Sequence, residues 1–203
     1  MLVAALTLSA CSSPAAGATV SGVAVQSGDL PNDMVKCDLT GDIANFIKSE
    51  ESPDPTTAQT MKTEWDAAKG KGAKAGYAAI YTDSSSHCSA IKTSGSDIGA
   101  ATYKVVVNFV IEFKDETSAA SGYTSESILG FSASSLNSGG APVIEGTKTG
   151  LSANSITLTQ PIGNQFFYIA VWQSKTFMII LAVLNLDAGA AKRVATSENG
   201  RIK

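Results

Sequence analysis

The residues best suited to chemistry lie together in one segment, Asp83-Ser84-Ser85-Ser86-His87-Cys88. It holds a carboxylate, three hydroxyls, a thiol and the only histidine of the chain. Serine, histidine and aspartate are the groups of a hydrolytic triad, in which histidine takes the proton of the serine hydroxyl. Neighbours in sequence rarely adopt that geometry, however, and the chain has no G-x-S-x-G nucleophile elbow. We therefore expect His87 to be a surface residue, and we assign no catalytic residue.

Scattered carboxylates offer a second route to catalysis. The candidates for acid–base work are Glu112, Asp115, Glu116 and Glu145. The sequence alone does not pair any two of them. A hydrolase that uses such a pair, or the Asp83–His87 segment, stays open as an alternative function.

The N-terminus carries a motif of a different kind. Residues 1–10 are mostly apolar and end in small side chains, as the apolar region of a signal peptide does, although no basic residue precedes them. Ten residues are too few to span a bilayer. The sequence Leu8-Ser9-Ala10-Cys11 resembles the lipobox of bacterial lipoproteins. This resemblance implies cleavage before Cys11, a lipid on Cys11, and attachment to the outer side of a cell membrane.

The lipobox resemblance also accounts for the odd number of cysteines. If Cys11 carries lipid, Cys37 and Cys88 remain as a pair in an oxidising compartment, where a disulfide is expected. A metal site of Cys37, His87 and Cys88 is the rival interpretation. Adjacent His87 and Cys88 are poorly spaced for tetrahedral zinc, and a fourth ligand is not evident. We therefore expect no metal and no other cofactor.

Composition limits the domains and the partners. The 203 residues suffice for one domain with a tail, and residues 12–28 are small and polar like a flexible tether. We divide the chain into a signal peptide (1–10), a lipidated cysteine with its tether (11–28) and a globular domain (29–203). The net charge of −3 and the pI of about 5.1 argue against a nucleic-acid partner, which would repel an acidic protein. The expected partners are the membrane, through Cys11, and an unidentified ligand or protein of the cell envelope.

One strand dominates the expected core. In Tyr103–Phe113 every odd position is apolar, whereas the even positions include Lys104, Asn108 and Glu112. A period of two places these sets on opposite faces of a strand. We predict a central strand whose second face is partly covered.

The remaining pattern predicts short helices, strands and loops in succession. Helices are expected at 40–49, 55–70, 116–128 and after Asp187, further strands at 76–82, 143–145, 155–160, 166–172 and 177–184, and loops at 83–88 and 132–141. The Gly-rich loop 132–141 could border a ligand, but we favour an ordinary surface loop. The polar break at 173–176 predicts a hairpin there, since a central lysine disfavours the alternative of one transmembrane helix over 166–186.

Strands that follow one another without crossover helices predict an antiparallel sheet, with helices packed on it in one α+β domain. This order, the cysteine pair and the V-W-Q hairpin followed by a helix are loosely similar to PsbP-like lipoproteins. They are similar also to the extracellular sensor domains of some bacterial Ser/Thr kinases. The resemblance implies a non-catalytic, membrane-anchored binding or sensing module. A docking subunit of an envelope complex is a further alternative.

Overall fold

The computed structural model describes residues 17–93, 101–125, 130–162 and 165–202. Within these residues the chain forms eight strands and seven α-helices, which confirms the predicted α+β class. The strands are β1 (Val35–Lys36), β2 (Gly41–Asp42), β3 (Ala73–Thr82), β4 (Val105–Phe113), β5 (Val143–Glu145), β6 (Asn154–Ile162), β7 (Gln165–Ser174) and β8 (Phe177–Leu184). The helices are α1 (Val20–Val23), α2 (Ile43–Glu50), α3 (Pro55–Gly70), α4 (Ser85–Thr93), α5 (Glu116–Ser125), α6 (Ala133–Ser138) and α7 (Ala188–Gly200).

All eight strands join one antiparallel sheet. Its order is β1-β3-β4-β8-β7-β6-β5, and β2 pairs with β3 beside β1. The predicted hairpin is confirmed, because β7 and β8 pair from Phe167 with Leu184 to Ser174 with Phe177. Among the described helices, none is both long and apolar enough to cross a bilayer.

Strand β4 lies near the middle of the sheet and is buried on both faces. Val105, Val107 and Phe109 point into a core beneath α2, α3, α5 and α6, as the period of two predicted. The opposite face carries Val106 and Val110, which lie in a second core beneath α1 and α7. The second face is therefore fully covered up to Glu112, and not partly covered as expected.

Helix α3 lies on the first face of the sheet and buries one apolar stripe. Helix α3 begins after Asp54, whose side chain accepts a hydrogen bond from the backbone N–H of Thr57, and has proline at its first position. Its buried stripe includes Met61 and Trp65. Trp65 is thus a core residue.

The N-terminal segment corrects the predicted tether. Val23, Ala24 and Val25 are buried against β3 and β4, so the globular domain includes residues N-terminal to 29. The tether prediction for 11–28 is therefore wrong from Thr19 onward, because Val25 is held by hydrogen bonds to Asn108 and Tyr81. Cys11 and residues 1–16 lie outside the described residues.

Two predicted loops contain helices. The polar segment 83–88 runs into α4, and the segment 132–141 contains α6, which begins with a capping box between Ser132 and Ser135. Serine-rich sequence is typical of loops, which is why loops were predicted here. Serine is also favoured at helix N-termini, because its hydroxyl accepts backbone hydrogen bonds. The predicted helix 116–128 is described as far as Ser125, and residues 126–129 lie outside the description.

Candidate functional site

The structure brings the predicted cluster together where β3 ends and α4 begins. Asp83 directly follows β3, and its Oδ1 lies 2.5 Å from Nδ1 of His87, in the first turn of α4. The His87 ring stacks on the Tyr103 ring with centroids 3.8 Å apart and planes 7° from parallel. Asp83 therefore orients an imidazole that is also held by an aromatic face.

Asp83 is tied to a second chain segment. Its Oδ2 accepts a hydrogen bond of 3.3 Å from the backbone N–H of Lys104. Burial alone would raise the pKa of Asp83, but the hydrogen bonds from His87 and Lys104 outweigh it, and the pKa is lowered. The charged carboxylate thus joins the start of α4 to the segment that leads into β4.

The neighbouring serines do not complete a triad. Ser84 Oγ accepts the backbone N–H of His87 at 3.3 Å and lies 2.9 Å from Ser86 Oγ. In the part of the chain that the structure describes, no hydrogen bond joins a serine hydroxyl to the His87 ring. A hydrolytic serine must reach the imidazole nitrogen that is not held by the aspartate, so these serines are engaged instead with the start of α4.

The predicted disulfide is confirmed. Cys37 and Cys88 are bonded with their Cα atoms 5.3 Å apart, and they link the segment after β1 to α4. Buried Thr82 lies beside both sulfurs, with its hydroxyl 3.3 Å from Cys88 Sγ and 3.8 Å from Cys37 Sγ. The same hydroxyl donates to the Ser84 carbonyl. The rival metal site is wrong, because both sulfurs that would bind the metal are consumed by the bond.

A polar cavity of about 250 Å³ opens beside this disulfide. Its lining is Val35, Lys36, Cys37, Asp38, Leu39, Ser85, Cys88, Ser89 and Lys92. The two cysteines of this lining were predicted as a pair from the sequence, whereas Lys36 and Lys92 were not predicted to lie near them. A signal existed for one of them, because Ser85, Ser89 and Lys92 follow one another on the face of a helix. The cavity offers ammonium and hydroxyl groups to a small polar ligand.

The scattered carboxylates take up separate structural positions. Asp115 caps α5 by accepting the Ser118 N–H at 2.7 Å, and this hydrogen bond lowers its pKa. Glu116 lies in the first turn of α5, Glu112 is half-buried in β4, and Glu145 ends β5. None of these placements by itself supplies the acid and base of a hydrolase.

No family model and no curated protein matches the chain. Among solved structures, the chain is similar to the extracellular domain of PknH from Mycobacterium tuberculosis, with a TM-score of 0.54 and 12% sequence identity. The similarity covers 94% of this chain and 97% of that chain. At this identity the likeness is one of fold.

Proposed function

We propose that the protein is a lipid-anchored, extracytoplasmic module that binds or senses a ligand without transforming it. The observation that carries the proposal is the fold, which is shared over almost the whole chain with an extracellular domain. The Cys37–Cys88 disulfide supports the same location, because such bonds persist in oxidising compartments. The lipobox-like Leu8–Cys11 segment supports anchoring.

The anchor would hold the domain close to the bilayer. Eight residues lead from Cys11 to Thr19, which caps α1. Fully extended, they reach about 28 Å. That segment packs on the side of the sheet that α7 covers, so this side would carry the attachment.

Anchoring is tested by expressing the full chain and its Cys11→Ser variant in a bacterium that processes lipoproteins. We expect the wild-type mass to equal residues 11–203 plus lipid, with two hydrogens gained only after reduction, and the protein to sediment with membranes. Cys11→Ser should lose the lipid mass, whereas the control Ser12→Ala should keep it. An unlipidated wild-type chain with three free thiols would refute the proposal.

The hydrolase alternative rests on one specific observation, the Asp83–His87 pair beside Ser84 and Ser86. It is tested with an activated ester, p-nitrophenyl acetate, as a general acyl substrate. If the protein is a binding module, wild type and His87→Ala will hydrolyse it at the same background rate. A rate that collapses in His87→Ala, while the protein stays folded by circular dichroism, would favour the hydrolase.

A docking subunit is distinguished from a ligand-binding module by the protein partner that is recovered with it. Cross-linking in intact cells, followed by purification, should recover a stoichiometric protein partner only if the module is part of a larger assembly. Recovery of monomer alone favours the binding module.

A further inference from the structure

A second cavity lies at the other edge of the sheet and on its other face, where the start of α7 overhangs β5 and β6. Its volume is about 120 Å³. It is lined by Ile144, Lys148, Thr149, Thr157, Thr159, Tyr168, Ala188 and Lys192. It is thus separate from the cavity beside the disulfide, which lies next to β1.

The floor of this cavity is made of hydroxyl-bearing side chains. Thr159 pairs with Tyr168 across β6 and β7, and Thr157 precedes Thr159 by two, so the three share one face of the sheet. Thr157 is 5% exposed and Tyr168 is 4% exposed. Thr149, by contrast, is satisfied, because its hydroxyl lies 2.7 Å from that of Ser155.

Within the described residues, none of the hydroxyls of Thr157, Thr159 and Tyr168 forms a hydrogen bond with the protein. Thr157 and Tyr168 are buried residues, but their hydroxyl oxygens are not among the fully buried atoms that lack a partner, so these oxygens open onto the cavity. Both hydroxyls can therefore donate to a group that enters the cavity. The cavity thus presents several hydroxyl donors to a ligand.

Positive charge surrounds the same floor. Lys148 comes from the 3₁₀ helix Gly146–Thr149 and Lys192 from α7, and no ion pair engages either in the described part of the chain. Lys192 leans across toward the β5–β6 connection, where its Cε lies 3.9 Å from an ideal Cβ on Gly150. Ala188 adds the positive end of a 13-residue helix.

The acidic groups nearby offset only part of this charge. Asp187 caps α7 by accepting the Ala190 N–H at 2.8 Å and keeps its negative charge, but the lining carries two lysines against it. Glu145 is adjacent to Ile144 in β5 and so points to the opposite face of the sheet. Glu198 lies behind Tyr168, and burial raises its pKa well above the ordinary value, which favours its neutral form.

We propose that this cavity binds a phosphate group, through Lys148, Lys192 and the hydroxyls of Thr157 and Tyr168. The cavity volume of about 120 Å³ is well above the roughly 10–15 Å³ that one water needs, so the cavity admits a group of five heavy atoms. Phosphate offers several acceptor oxygens to several donors, and lysine is an established phosphate ligand. Ile144, 51% exposed at the rim, would contact the apolar part of a larger phosphate-bearing molecule.

The phosphate could belong to a soluble molecule or to an anionic phospholipid headgroup. α1 and α7 cover the same face of the sheet, so the anchored domain would present this side to lipid. The inference deepens the proposed function by giving the module a ligand class. Its headgroup version rests on the anchor, whereas binding of free phosphate does not.

The test uses the full chain with Cys11→Ser, so that failure of anchoring leaves the binding measurement intact. Titration calorimetry with inorganic phosphate should show one saturable site with a Kd of about 1 mM or tighter. Lys192→Gln and Lys148→Gln should each weaken binding about tenfold, since each variant loses a charge-assisted hydrogen bond to the phosphate. Tyr168→Phe, which keeps the ring, should weaken it about fivefold.

Lys48→Gln is the matched control, because it removes the same charge from an exposed position on α2. It should bind phosphate as the parent does. Flotation with phosphatidylglycerol vesicles, against phosphatidylcholine vesicles, distinguishes the sources. Lysine-dependent flotation identifies a headgroup site, and phosphate binding without flotation identifies a soluble ligand. Absence of saturable phosphate binding, or binding that both lysine variants retain, would overturn the proposal.

Discussion

Glu50 provides a sharp test of how burial acts in this domain. Its side chain ends α2 and is 1% exposed, and neither carboxyl oxygen has a hydrogen-bond partner among the described residues. Burial raises its pKa from 4.5 to about 7, assisted by the charge of Asp54 and opposed by that of Lys92. Between these two values the folded protein keeps a proton that the unfolded chain releases. Stability is therefore full below pH 4.5 and is lost as the pH rises to about 7.

The loss is about 3 kcal/mol, because each tenfold change in acidity between the two pKa values contributes about 1.4 kcal/mol. Glu50→Gln resembles the protonated carboxyl at every pH. Urea unfolding should therefore show the variant more stable than wild type by about 3 kcal/mol at about pH 8, and nearly equal to it at about pH 4.

Glu51→Gln is the matched control, because Glu51 is the next residue and is exposed. Its difference from wild type should not follow the Glu50 curve. Glu198 also has a raised pKa, but it is present in every protein compared and so drops out of each difference. A Glu50→Gln difference that does not change with pH, or that grows toward acid, would refute the reasoning.

Three further variants test the disulfide, the core and the N-terminal segment. Cys37→Ser with Cys88→Ser should lower the free energy of unfolding by about 4 kcal/mol in urea, because the bond closes a loop across a separation of 51 residues. Gly122→Ala should destabilise by about 1–3 kcal/mol in thermal unfolding, since its Cβ would stand 2.5 Å from Cζ of Phe113. Asn108→Ala should cost about 3 kcal/mol and speed proteolysis of the N-terminal segment, because it leaves a buried backbone N–H of that segment without its acceptor.

Each of these predictions has its own control. Wild type in reductant should match the double serine variant, and equal stability with and without the bond would contradict the loop-closure argument. Gly70→Ala, where an added Cβ meets no atom within 4 Å, should be neutral or stabilising. If Gly122→Ala is as stable as Gly70→Ala, the Phe113 ring has room to move. Unchanged protease resistance in Asn108→Ala would show that the amide bond does not hold the segment.

The local sequence pattern was sufficient to predict the elements that bury one face or alternate strictly between apolar and polar residues. β4 was visible because large apolar residues occupy every second position, and the β7–β8 hairpin because a polar break separates two apolar runs. α3 was visible because Asp54 and Pro55 mark its start. In each case the signal lies within a few residues, which is the range over which sequence periodicity operates.

Segments that depend on distant partners were not visible. Val23–Val25 resemble a linker by composition, but they are buried because Asn108 accepts the Val25 N–H and Tyr81 donates to the Val25 carbonyl. α4 has a serine-rich start, and it is held by the disulfide to Cys37 and by the stacking of His87 on Tyr103. The contacts that decide these segments join residues far apart in the chain, so no local pattern encodes them.

The proposed phosphate cavity also depends on contacts between residues that are distant in the sequence. Lys148 and Lys192 are 44 positions apart and belong to different elements, and neither has a neighbour in sequence that marks a binding motif. What joins them is the docking of α7 on the sheet. The same helix reaches the N-terminal segment at its far end, where Arg201 donates to the Val23 and Ala24 carbonyls.

Helix α7 therefore contacts both the proposed phosphate cavity and the N-terminal segment. Helix α7 spans 13 residues, or about 20 Å, from the cavity at its start to the N-terminal segment at its end. Between them, Glu198 accepts a hydrogen bond from Asn108, which also holds Val25. The first turn of α7 thus borders the cavity, and its C-terminal end binds the N-terminal segment. The docking of this one helix on the sheet therefore positions both the cavity and the segment that packs beneath it.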